Sequence, residues 1–232
     1  MRDAIDAVDW SAVPGHPDWY EPEHASRGLR ALADAVHLVR AAEAGSLLGG
    51  GGIVHGHSGA VFPAAAVAAP LLLDIVQHGH PAAGETALGL LDEALSFRPR
   101  PGYTRVLPPH GAAVPICCVI ADHVRARTAP LSRMGSTGKA LLADAAEHWR
   151  FDVRESVADG DDTAAFGSLA GRFPDDVGAV ELNVAGEFTV LDRVGLEYAP
   201  QEGSAEACLR VGGLPPGDLP PGAILYPAGC GL

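Results

Sequence analysis

Val180-Glu181-Leu182-Asn183-Val184 alternates apolar and polar residues at every step, and Phe151-Asp152-Val153-Arg154 does the same upstream. A period of two sends successive side chains to opposite faces, which is the mark of a half-buried strand. Between and beyond these stretches, short β-type runs at 151–157, 163–169, 177–184, 188–198, 207–211 and 224–226 are separated by turn residues. Several short strands at such spacing predict a small antiparallel barrel or sandwich.

Before residue 148 the texture differs. Leu29, Leu32, Val36 and Val39 recur at helical spacing after Ser26, a candidate N-cap, until Gly45. Residues 60–77 are apolar on nearly every face, with Pro63 suited to a first turn and Gly79 to a cap, so this helix is expected at the centre of its layer. Pro70 lies inside that run and should kink or split it, because proline lacks the N–H that the helix needs. Pro81 restarts a helix carrying Leu88, Leu91 and Leu95, and 114–124 and 137–147 supply two more. The opening residues to Pro22, rich in proline, tryptophan and tyrosine, read as an irregular cap. The expected fold is therefore α+β, with an α-helical domain over 1–147 and a small antiparallel β-barrel over 148–232.

The 232 residues carry a formal charge of −13. Residues 1–148 hold 11 Lys and Arg against 15 Asp and Glu, and residues 149–232 hold 5 against 14. A surface of this sign repels phosphate backbones, which disfavours nucleic acid as a partner. Arg98, Arg100 and Arg105 form the one basic stripe and read as a solvated loop among prolines. No apolar run reaches the roughly 18–20 residues of a membrane span, and acids stand near the N-terminus where a signal peptide would be basic, so the expected location is cytoplasmic. Cys117, Cys118, Cys208 and Cys230 form no CxxC pair and read as free, silent thiols, with Cys230 at a frayed end. The single lysine among many Arg, Ala, Gly and Pro residues is a coding bias of the actinobacterial kind.

Two triplets, His55-Gly56-His57 and His78-Gly79-His80, flank the apolar helix. Glycine lets imidazoles two apart turn toward one ion, so His55, His57, His78 and His80 are the candidate ligands of a transition metal such as zinc. Convergence of the two pairs requires the intervening helix to fold back at Pro70, since about 17 residues span about 25 Å. Gly56-His57-Ser58-Gly59-Ala60 also has the form of a nucleophile elbow, yet that fold needs a preceding parallel sheet and a late histidine, and none follows His148. Gly135-Ser136-Thr137-Gly138-Lys139-Ala140 approaches a phosphate loop, but Arg133 replaces its first glycine and Ala140 its magnesium-binding hydroxyl, leaving Ser136 or Thr137 as a helix cap. Asp159, Asp161 and Asp162 read as solvated turn acids rather than a calcium loop.

His55-Gly56-His57-Ser58-Gly59-Ala60-Val61-Phe62-Pro63-Ala64-Ala65, followed by Ala69-Pro70-Leu71-Leu72-Leu73, resembles the repeating element of HEAT-type helical-repeat proteins of actinobacteria. That resemblance implies a curved surface that grips proteins, with His55, His57, Ser58 and Phe62 as the partner-binding residues. Asp162-Thr163-Ala164-Ala165-Phe166-Gly167-Ser168-Leu169, Val194-Gly195-Leu196-Glu197, Ala207-Cys208-Leu209-Arg210-Val211 and Leu219-Pro220-Pro221-Gly222-Ala223-Ile224-Leu225 resemble, in order and spacing, the second-domain barrel of elongation factor Tu and its relatives. The leading expectation is a non-catalytic, cofactor-free module that binds a basic protein partner through the helical surface and the acidic barrel, as an immunity or regulatory factor would. The alternatives are an enzyme or metal protein centred on His55, His57 and Ser58, and a translation-related accessory protein.

Overall fold

The computed structural model describes residues 1–107, 113–175, 178–201 and 203–230. Within it the chain forms two compact units, one of Met1–Val106 with Pro115–Ala145 and one of Leu107–Val114 with Ala146–Leu232. The second unit thus takes in a short stretch from the middle of the chain as well as the C-terminal residues.

The first unit is helical. Its elements are α1 (Arg2–Asp6), α2 (Pro22–Ala33), α3 (Leu38–Gly49), the short strands β1 (Val54–His55) and β2 (Ala60–Val61), α4 (Pro63–His78), α5 (Pro81–Ser96), β3 (Arg98–Pro99), β4 (Arg105–Val106), β5 (Val114–Pro115), α6 (Ile116–Arg125), α7 (Thr128–Ser132) and α8 (Gly135–Glu147). Helix α4 is the central one: eleven of its sixteen residues are buried, and Phe62, Leu72 and Ile75 pack in one core with Leu29, Leu48, Leu91 and Ile120. Pro63 opens it and Gly79 closes it, as expected. Pro70 neither ends nor splits it, because α4 runs unbroken to His78.

One expected helix is two. The chain breaks at residues 34–37, where His37 Nδ1 accepts the Arg40 N–H and starts α3. Val36 and Val39, read as a continuing inward stripe, are 68% and 63% exposed. The start of α2 is likewise set by Pro22 in its first turn and not by Ser26, which lies inside the helix. Ser136 and Thr137 fall inside α8 rather than capping it. The opening segment folds as α1 and a 3-10 turn at Trp10–Ala12, with Ile5, Trp10 and Tyr20 in the core.

The second unit is a closed, six-stranded antiparallel barrel. Its strands are β6 (Arg150–Asp159), β7 (Asp162–Ala170), β8 (Gly178–Val184), β9 (Glu187–Tyr198), β10 (Glu206–Gly212) and β11 (Ile224–Pro227), paired in the order β10-β7-β6-β11-β8-β9. Each run expected from its β-type pattern falls in a strand, save that Val177, the first residue of the third run, lies outside the described residues. Phe151, Val153, Val180, Leu182, Leu209 and Leu225 point inward to form a core with Trp149 and Phe173. Cys230 is buried, and its Sγ lies 3.2 Å from His148 Nδ1, so this cysteine is packed rather than frayed. Among the described residues no helix is long and apolar enough to cross a membrane.

Candidate functional site

The His55 turn is a β-hairpin. Strands β1 and β2 pair antiparallel, His55 opposite Ala60, with residues 56–59 as the turn between them. Ser58 therefore sits between two antiparallel strands and not at the strand-to-helix bend of a nucleophile elbow. Its Oγ lies 2.9 Å from His55 Nδ1 and also donates to the His55 carbonyl at 3.3 Å, a local clasp that ties the turn to itself. His57 is exposed beside His55, their ring centroids 6.1 Å apart.

The remaining expected ligands lie elsewhere. Sixteen residues of α4 separate the hairpin from His78, a rise of about 24 Å at 1.5 Å per residue. His78 Nδ1 is bonded to the Asp74 carbonyl, and His80 Nδ1 accepts the Ala82 N–H at the start of α5. Among the described residues no three of these four imidazoles come within one coordination sphere. The reason is the continuity of α4 through Pro70, which removes the fold-back that convergence required. Phe62 is a correction too. It is fully buried, tilted against Tyr20 at 5.7 Å between ring centroids, and works as a core wedge with no surface for a partner.

What the hairpin meets was not visible in its own sequence. Strand β3 lies parallel to β2, with Arg98 opposite Ala60 and its N–H donating to the Gly59 carbonyl at 3.0 Å. This extended segment delivers Arg100, whose guanidinium carbon sits 3.6 Å from the centroid of the Trp19 ring. Trp19 also stacks on His55 (5.5 Å, 13° between planes) and on His16 (4.9 Å, 28°), and Tyr103 meets His16 edge-on. Such offset aromatic contacts and the cation over the ring each add attraction beyond burial.

Trp19 is held by its neighbour. Tyr20 is buried, its hydroxyl donates to the Trp10 carbonyl at 2.9 Å, and burial pushes its pKa up to about 12. Gly51 supplies the other support. Its φ of +122° belongs to glycine, and a Cβ there would lie 2.6 Å from the Trp19 carbonyl oxygen. The glycine run 49–52 is thus a close-approach turn as well as a flexible one. The basic stripe, read from sequence as a solvated loop, is partly an anchored one: Arg100 is bound to an aromatic ring.

The barrel has its own concavity. A cavity of about 580 Å³ opens where the β8–β9 hairpin meets residues 214–220; Leu182, Val184, Leu191 and Leu214 make its apolar wall, and Glu187 and Asp218 its acidic rim. Two bonds fix the connection that forms one side: Thr163 Oγ1 donates to the Leu214 carbonyl, and Ser156 Oγ to the Pro216 carbonyl at 3.1 Å. On the hairpin side Ala185 adopts a φ of +52°, rare for a residue with a Cβ, and Gly186 follows at +93°, with Asn183 Oδ1 accepting the Gly186 N–H.

Elsewhere four of the barrel's five arginines pair with carboxylates, Arg193 alone having no ion pair among the described residues. Arg210 pairs with Asp159, Asp162 and Glu197, Arg154 with Glu206, Arg150 with Asp152 and Arg172 with Glu147. Asp159 and Asp162 are therefore partners of an arginine, as befits turn acids, rather than a calcium set. Glu187 and Asp218 have no ion pair among the described residues. Cys208 is buried, and desolvation raises its thiol pKa, so it stays protonated and unreactive. All four cysteines are buried and none is in a disulfide. No family model matches the chain, and no curated protein or solved structure matches it either.

Proposed function

We propose that this protein is a non-catalytic binding module whose barrel takes up a basic, apolar segment of a protein partner, in the manner of a regulatory or immunity factor. One observation carries the reading: the cavity at the barrel end joins an apolar wall to a rim of two carboxylates, Glu187 and Asp218, that no arginine pairs with among the described residues. An aliphatic side chain entering the cavity would bury its stem while a neighbouring Lys or Arg met Glu187 or Asp218, so charge would steer the encounter and apolar burial would hold it. The likeness of the barrel to that of translation factors, and of the helical part to HEAT-type repeats, supports a binding role without naming the partner. Four buried, unlinked cysteines support a cytoplasmic setting.

The test is calorimetric titration of the whole protein with a synthetic peptide of alternating Leu and Lys. Saturable binding that weakens tenfold or more in a Glu187→Lys, Asp218→Lys double variant, and weakens with added salt, is the expected result. A peptide that binds the variant equally well, or a Leu-Glu peptide that binds the original protein as tightly, sinks the reading.

A further inference from the structure

The helical unit carries a second feature that the barrel does not explain. In a protein of net charge −13, the Trp19 ring carries Arg100, His16 and His55, with His57 beside His55 and Arg98 in the paired strand β3. Several arginines of this unit answer to carboxylates, Arg2 to Asp34, Arg30 to Asp6, Arg40 to Glu43 and Arg127 to Asp74, while Arg27 and Arg133 form no ion pair among the described residues. Among the described residues Arg98 and Arg100 form no ion pair, and their guanidinium N–H groups make no hydrogen bond. We infer that Arg100 and His55, both seated on the Trp19 ring, form with Arg98 of the paired strand β3 a binding site for a phosphate-type oxyanion.

Three properties favour that ligand class. Arg100 is fixed by its ring contact, which engages the face of the guanidinium and leaves its edge, the part that forks to a phosphate or carboxylate, available. Arg98, two residues before Arg100, lies in register with Ala60, which is itself opposite His55, so the backbone pairing brings Arg98 and His55 into one row of the small sheet. His55 spends Nδ1 on Ser58, and its Nε2 makes no hydrogen bond among the described residues, which leaves one ring atom for an anion. Asp18 and Glu21 are the carboxylates closest in sequence to Trp19; Glu21 is engaged by His24 at 3.1 Å, and Asp18 remains as the local opponent of anion binding.

Trp19 is itself the reporter, since Trp10 and Trp149 are buried in the two cores. Pyrophosphate is titrated into the whole protein while tryptophan emission is followed, with sodium chloride at matched ionic strength as control. A saturable change that vanishes in Trp19→Phe and weakens at least tenfold in Arg98→Gln and in Arg100→Gln is expected. Arg98 is exposed, so its variant keeps the fold and remains informative if loss of Arg100 loosens the loop. A phosphoserine peptide in a parallel arm separates a free phosphate from one carried on a protein chain; saturation by either supports the site. Absence of saturation with both, an equal response to chloride, or unchanged affinity in Arg98→Gln and Arg100→Gln overturns it. The Glu187→Lys, Asp218→Lys protein should bind pyrophosphate as the original does, so this site and the barrel reading fail or stand separately.

Discussion

Arg100 places its guanidinium carbon 3.6 Å from the centroid of the Trp19 ring, joining two loops that four helices separate along the chain. The contact is partly exposed, so its energy belongs at the lower end for such pairs, about 0.5–1 kcal/mol. Arg100→Ala should lower the unfolding free energy in urea by that amount. In a cycle with Trp19→Leu the two losses should fall short of additivity by most of it.

Ala185 offers a test of opposite sign. A Cβ at φ +52° is crowded by the following carbonyl, and a glycine there is not. Ala185→Gly should stabilise the barrel by roughly 0.5–1 kcal/mol, the strain relieved less the chain entropy that glycine adds. Ala185→Val should destabilise it. Thermal unfolding followed by circular dichroism reads both, and a destabilised glycine variant would contradict the turn geometry.

Gly167 lies where β7 passes β6, and an added Cβ would fall on the carbonyl oxygen of Asp152, inside contact distance. The Asp152 carbonyl is backbone in a closed sheet and does not yield easily, and the ring of buried Phe151 stands 2.9 Å away as well. Gly167→Ala should cost about 1–3 kcal/mol, measured by urea denaturation. The same change at Gly160, a turn position with open space around it, should cost only the strain of its positive φ.

Tyr20 should make the fold sensitive to alkali. Its pKa is pushed up to about 12 by burial, against 10.0 for a free tyrosine. Above pH 10 the unfolded chain releases this proton first, so stability is full below that pH and falls as pH rises toward 12. Urea midpoints at pH 8, 10 and 11 should show the decline, and Tyr20→Phe should flatten it after allowance for the lost bond to the Trp10 carbonyl.

The barrel was legible because its signal is local and one-dimensional. Alternation in 180–184 specifies a strand whichever strand lies beside it, and β8 spans Gly178–Val184. The helical half was legible where glycine and proline punctuate it, as at Pro63, Gly79 and Pro81, and misread where they do not. The break between α2 and α3 depends on His37, a residue whose capping role shows only when its ring meets the Arg40 N–H. Of the two outcomes expected at Pro70, division is the one that does not occur, since α4 continues through it to His78.

The candidate sites divide the same way. His55 and Ser58 share one turn, and their clasp follows from being three residues apart. Trp19, Arg100 and His16 reach that turn through the parallel β2–β3 pairing and the hydrogen bond from Glu21 N–H to the Gly51 carbonyl, contacts between segments far apart in sequence. No local spacing encodes them. Their trace in the sequence was compositional: an aromatic cluster in a proline-rich opening, and arginines alternating with prolines at 98–101. The barrel cavity left less trace still, because its wall residues are read as ordinary inward positions until the end of the barrel they occupy is known.

Strand β11, only four residues long, lies between β6 and β8. During synthesis both flanking strands leave the ribosome first, and each waits with a row of unanswered amides and carbonyls until Ile224–Pro227 arrives. A nascent chain stalled or clipped ahead of Ile224 would present two sticky borders at once, so residues 224–227 guard against one copy of this chain sticking to the next.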